Sequence, residues 1–136
     1  MYSIGELARL TGVKVPTIRY YEQMGLVDAV ERTSGNQRRY SRAELQRLSF
    51  VRHSRDLGFT IEDIRELLEL SQHPEQSCSD AHSIAVRHLA DTRARIKKLK
   101  SLERELRRLA RCDADSIQDC AVIETLADHG VCEGDH

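Results

Sequence analysis

The sequence predicts a mainly α fold: an N-terminal helix-turn-helix with a hairpin wing, a long helix that pairs with a second copy of the chain, and a cysteine-bearing loop followed by a short helix. Three observations predict it. A hydroxyl residue with an acidic residue three positions on, the signature of a capped helix start, recurs at Ser3 and Glu6, Ser41 and Glu44, and Thr60 and Asp63. Leu89, Thr92, Ile96, Leu99, Leu102, Leu106 and Leu109 follow one another at spacings of 3, 4, 3, 3, 4 and 3, one apolar seam along a helix of roughly 30 residues. The 3-3 step is a stammer in the heptad rhythm. Hydrophobic residues make up 40% and charged residues 32%, with no Trp, two Phe and four Tyr, which suits helices with much exposed surface better than a β-rich core.

Taken in order, Ser3 and Glu6 cap a first helix whose apolar face is Leu7, Ala8 and Leu10, and Thr11-Gly12 ends it. Pro16, which needs no amide partner in a first turn, opens a second helix, PTIRYYEQMG, closed by Gly25. The pair reads as a helix-turn-helix. Residues 27–40 break the helical period and set Ser34-Gly35-Asn36 between two flanks that can pair as a hairpin. Helices starting at Ser41 and Thr60 follow. The polar segment SQHPEQSCS reads as a linker. The seam helix cannot bury its own leucines and needs a partner, most simply its two-fold copy. After Cys112 come an acidic loop, the short helix AVIETLA, and a polar end. The expected divisions are 1–70, a linker at 71–79, the pairing helix at 80–111, and the loop and tail at 112–136.

Net charge divides unevenly. Residues 1–60 carry ten Lys/Arg and six Asp/Glu, and residues 61–136 carry eleven and sixteen, so the halves are +4 and −5. A basic first half suits contact with a polyanion. The N-terminus lacks a basic leader with an apolar run, and no window approaches the ~18 apolar residues of a membrane span, so a soluble, cytoplasmic protein is expected. In a reducing compartment four cysteines are ligands, redox sensors or inert thiols more readily than structural disulfides.

Two constellations carry chemistry. Arg19 and Tyr21 on the second helix, with Arg32, Arg38 and Tyr40 on the hairpin, suit a helix entering a major groove while wing arginines hold phosphates on either side. Lys14 and Thr17 complete the expected DNA-facing set. A solvated basic face is the plainer reading of charge alone, and the order helix, turn, helix, basic hairpin argues against it. The second constellation is Cys78, Cys112 and Cys120, three thiols that can hold a soft or borderline cation, with an acidic loop favouring a cationic guest. On spacing alone, C-x7-C is equally a redox pair or two unrelated thiols. Cys132 with His129 and His136 forms a looser terminal cluster. No arrangement of nucleophile and base, and no phosphate loop, argues for an enzyme.

The stretches IRYYE at 18–22, RRYSRAEL at 38–45 and GFTIEDI at 58–64 resemble the MerR family of winged-helix transcription regulators, and the likeness extends through the long helix. One departure is the wing, where family members often read N-G-Y-R and this chain reads G-N-Q-R at 35–38, shifting the turn by a residue and putting Gln37 in question as a contact. The resemblance implies a winged helix-turn-helix bound to double-stranded promoter DNA, an antiparallel coiled-coil homodimer, RNA polymerase as partner at the promoter, and a C-terminal metal-binding loop. Metal sensors of the family carry cysteines where Cys112 and Cys120 stand, and those for divalent ions carry one where Cys78 stands. The resemblance therefore implies a divalent effector, Zn2+, Cd2+ or Pb2+, held across the dimer, and control of metal efflux or resistance genes. The loop DADSIQD lacks His and position 112 has a single Cys, which is closer to the cadmium and lead sensors. Zn2+ would need a fourth donor from Asp113, Asp115, Asp119, His82 or water. The alternative is a redox sensor of the same fold with a Cys112–Cys120 disulfide. Dispersed cysteines disfavour an iron-sulfur cluster, and the short tail disfavours a drug-binding pocket.

Overall fold

The structure is a computed structural model that describes residues 1–29, 31–32, 34–35, 37–111, 117 and 120–127. Its described elements run α1 (Ile4–Thr11), α2 (Val15–Gln23), β1 (Glu31–Arg32), β2 (Arg38–Arg39), α3 (Arg42–Asp56), α4 (Ile61–Ser71), α5 (Ser79–Ala110) and α6 (Ala121–Ala127). By contact the chain divides into two units, Met1–His82 and Ser83–His136.

In the first unit the helix starts form as the local chemistry dictates. Ser3 Oγ accepts from the Glu6 amide at 3.1 Å while Glu6 Oε1 accepts from the Ser3 amide at 3.2 Å, a closed capping box. The Ser3 amide holds the Glu6 carboxyl below its ordinary range. Ser41 and Thr60 cap α3 and α4 through their hydroxyls, which accept from the amides of Glu44 and Asp63, while Glu44 Oε2 accepts from the Asp28 amide at 3.0 Å. Gly12 closes α1 at φ 76°, and its amide donates to the Ala8 carbonyl at 2.8 Å. Gly25, also at φ 76°, ends the α2 turn, where the Leu26 amide returns to the Tyr21 carbonyl at 2.9 Å. Pro16 sits in the first turn of α2.

These helices bury one core, with Leu7, Ile18, Leu26, Tyr40, Leu48, Val51 and Ile64 at 0% exposure. Three arginines hold the frame at long range. Arg52 donates to the Thr11 carbonyl, Arg65 to the Met24 carbonyl and Arg47 Nε to the Leu26 carbonyl at 2.5 Å, so cations sit at carbonyls left unpaired where α1 and α2 end. A Cβ at Gly12 would strike the Arg52 guanidinium. The hairpin is antiparallel, pairing Glu31 with Arg39 and Arg32 with Arg38, and Tyr40 bridges back to Tyr2 through two backbone hydrogen bonds of 2.7 and 2.8 Å.

The second unit takes most of α5, a helix of 32 residues in all, and then α6. Its seam stays open in the single chain: Leu89, Ile96, Leu99 and Leu106 are 48%, 46%, 63% and 63% exposed. Near the end of α5, Glu105 and Leu109 are buried, as is Thr125 of α6, and Glu105 Oε1 accepts from Arg108 at 2.6 Å. Among the described residues no helix is long and apolar enough to cross a membrane.

Candidate functional site

Helix α2 has two faces. Ile18 and Tyr21, three apart, turn into the core, and Tyr21 keeps only 8% exposure. Lys14 and Arg19 are exposed and Thr17 is half-buried. Tyr20, absent from the expected contact set, is the aromatic on the surface at 48% exposure. The apolar spacing from Ile18 to Tyr21 was the signal that could have separated the two tyrosines.

Arg32 stands on β1 opposite Arg38 on β2, and Tyr40 follows β2, fully buried. The hairpin is joined to α2 through Glu22. The Tyr40 hydroxyl donates to Glu22 Oε1 at 3.0 Å, and Arg38 Nη1 lies 3.3 Å from Glu22 Oε2. Burial, then the hydrogen bond to Glu22, pushes the Tyr40 hydroxyl up to about 12. Tyr21 and Tyr40 thus form the floor beneath this surface, while Arg19, Lys14 and the partly exposed Arg38 line it. Cationic side chains from a helix and an adjoining hairpin are the arrangement that phosphate contact requires.

The cysteines occupy comparable places. The Cys78 carbonyl accepts from the His82 amide at 2.8 Å, so Cys78 is the residue from which α5 starts, and it is exposed. The Cys120 carbonyl accepts from the Glu124 amide at 3.0 Å, which puts Cys120 at the start of α6, half-buried. Cys112, two positions after the last residue of α5, lies outside the described residues, as do Asp113, Asp115, Asp119, His129, Cys132 and His136. Among the described residues, no three His, Cys, Asp or Glu side chains come together to hold an ion. His82 is exposed one turn after Cys78. As a donor set, three thiolates match large, soft divalent ions, and tetrahedral Zn2+ needs one donor more.

Comparison with known proteins identifies the family. Residues 2–71 match the family described as MerR HTH family regulatory protein, and residues 45–109 match the one described as MerR, DNA binding. The chain is 44% identical over 130 residues to the HTH-type transcriptional regulator ZntR of Escherichia coli (strain K12), covering 93% of this chain and 92% of that one. It is 39% identical to heavy metal-dependent transcription regulator 2 of Rhizobium meliloti (strain 1021), with 92% and 86% covered. Among solved structures, the transcription regulator PbrR691 from Ralstonia metallidurans CH34 in complex with lead(II) superposes with a TM-score of 0.79 at 39% identity, covering 93% of this chain and 99% of that one. With matches over both the helix-turn-helix and the long helix, and with relatives of this identity and coverage, the chain belongs to the MerR family of helix-turn-helix transcription regulators.

Proposed function

We propose that this chain, of the metal-responsive branch of its family, works as a homodimeric transcription activator whose effector is a divalent ion held by Cys78 of one subunit together with the partner subunit's Cys112 and Cys120. The observation that carries the reading is the position of the cysteines around α5: Cys78 at its start and Cys112 just past its end in sequence. A helix of 32 residues is about 48 Å long, so its two ends cannot share one ion within a chain. Antiparallel pairing of two such helices through the exposed leucine seam brings the start of one to the end of the other and makes the three thiols one set.

A bound ion would supply a cross-link between the two subunits at each end of the paired helices. For activation it must favour one dimer conformation by differential affinity, since equal affinity for both shifts nothing. Lys14, Thr17, Arg19, Arg32 and Arg38 are the proposed contacts to promoter DNA, with Tyr21 and Tyr40 as their support. The dimer in its favoured state bends and untwists the promoter so that RNA polymerase finds its elements aligned, a deformation whose cost the protein contacts offset. The regulated genes are metal efflux or resistance genes. The absence of His from DADSIQD and the similarity to the lead-bound PbrR691 favour Pb2+ or Cd2+ as the ion, with Zn2+ next. The heavy metal-dependent relatives favour this reading over a Cys112–Cys120 redox switch.

Titration of the reduced dimer with Pb2+, Cd2+ and Zn2+, followed by the ultraviolet thiolate-to-metal band, is expected to show one tight site per subunit, with metal-dependent transcription in vitro. Cys78→Ser is expected to weaken binding by at least tenfold; an unchanged affinity rejects the cross-dimer site. Arg19→Ala is expected to weaken promoter binding by about tenfold and to flatten its fall with salt. Salt-independent binding would reject the DNA surface.

A further inference from the structure

A carboxylate on a surface facing a polyanion repels it unless it holds a cation in place. Glu22 lies three residues after Arg19 on α2, on the same side of the helix, and its side chain is 13% exposed. Both of its oxygens are engaged by the hairpin side. Oε1 accepts from the Tyr40 hydroxyl at 3.0 Å, and Oε2 faces Arg38 Nη1 at 3.3 Å. Tyr40 is itself fixed, fully buried and bridged to Tyr2 through the backbone. Arg38 has a side chain 35% exposed, and a contact through one nitrogen leaves most of its five N–H donors for another acceptor.

We propose that Glu22 is a positioning residue for DNA binding: it ties the wing to the recognition helix through Tyr40 and aims the Arg38 guanidinium at a backbone phosphate. This rests on the reading of α2 and the hairpin as the DNA-facing surface. Ordering a long arginine side chain costs entropy, and a guanidinium already held by a rigid carboxylate has lost that freedom before DNA arrives. The link also makes helix and wing present their cations in one fixed spacing, which a duplex with regularly spaced phosphates rewards.

The two roles open to a carboxylate here have opposite signs. As a mere negative charge, its removal strengthens binding to a polyanion; as a positioner of Arg38, its removal weakens it. The test uses a fluorescein-labelled duplex selected from a random-sequence pool by the wild-type dimer, with affinity read by anisotropy over a salt series. Arg38→Ala is expected to weaken binding roughly tenfold and to lower the salt slope by about one. Glu22→Gln, which keeps the volume and an acceptor for Tyr40, is expected to weaken binding roughly fivefold in the wild-type background and not at all in the Arg38→Ala background. The second background also answers for folding, because a loss caused by misfolding persists there and a loss of positioning disappears. Glu22→Gln that binds as well as or better than wild type, or an equal loss in both backgrounds, overturns the role of Glu22 alone. Arg38→Ala that binds like wild type overturns the wing contact and this proposal with it.

Discussion

The first unit closes on itself and the second does not. In residues 1–82 apolar residues of the four helices α1 to α4, with Leu26, Val27 and Tyr40 between them, fall to 8% exposure or less within one chain, and the ends of α1 and α2 are covered by arginines of the same chain. In α5 the leucines recur just as regularly, yet Leu99 and Leu106 keep 63% of their surface. Regular apolar spacing therefore instructs folding in one region and association in the other, and the difference lies in whether the chain itself supplies the opposing surface. The proposed sensor site follows the second logic, since its three thiols become a set only when two chains pair.

The largest effect should come from breaking the open seam. Leu99→Arg puts a charge where two helices must meet and is expected to convert the dimer to monomers in light scattering. Losing the second half-site contact removes the gain in effective concentration, so operator affinity should fall by on the order of 100-fold or more. A variant that stays dimeric would deny the seam its role. The matching cut in the closed unit is Leu48→Ala, at 0% exposure, expected to cost about 2–5 kcal/mol in urea unfolding. The contrast sharpens in concentration dependence: dilution should worsen the Leu99→Arg defect and leave the Leu48→Ala loss of first-unit stability unchanged.

What could be read from the sequence follows the range of the interaction. The capping residues Ser3, Ser41 and Thr60, the closing glycines Gly12 and Gly25, and Pro16 act within four residues and were legible, as was the period of the α5 seam. The arginines were not. Ten basic residues in the first 60 make that half basic by count, and Arg47, Arg52 and Arg55 enter the count although they donate to backbone carbonyls, Arg52 to one 41 positions away. The Glu22, Arg38 and Tyr40 cluster escaped for the same reason, its members being 16 and 18 positions from Glu22 and joined only by the folded hairpin. Tyr21 is expected at the DNA-facing surface beside Arg19, whereas its spacing from Ile18 marks it as core, where it keeps 8% exposure. The proposed cysteine set rests on residue type and spacing, with Cys78 directly before α5 and Cys120 directly before α6.

The smallest expected effect tests the link between the hairpin and α2 inside the closed unit. Tyr40→Phe deletes only the hydroxyl that donates to Glu22 and is expected to cost about 1–2 kcal/mol near neutral pH, as a buried hydrogen bond to a charged acceptor. Its alkaline behaviour gives a second, independent reading. Burial raises the Tyr40 hydroxyl from 10 in the unfolded chain to about 12 in the fold, so the folded state keeps its proton longer than the unfolded state does. The stability tied to that proton is complete below pH 10 and drains away as pH rises through 10 to about 12. Urea unfolding followed across this window should show wild type losing stability more steeply than Tyr40→Phe, so that the two curves converge at the alkaline end. Parallel curves would mean that the hydroxyl is not shielded as the closed core requires, and would loosen the wing from α2.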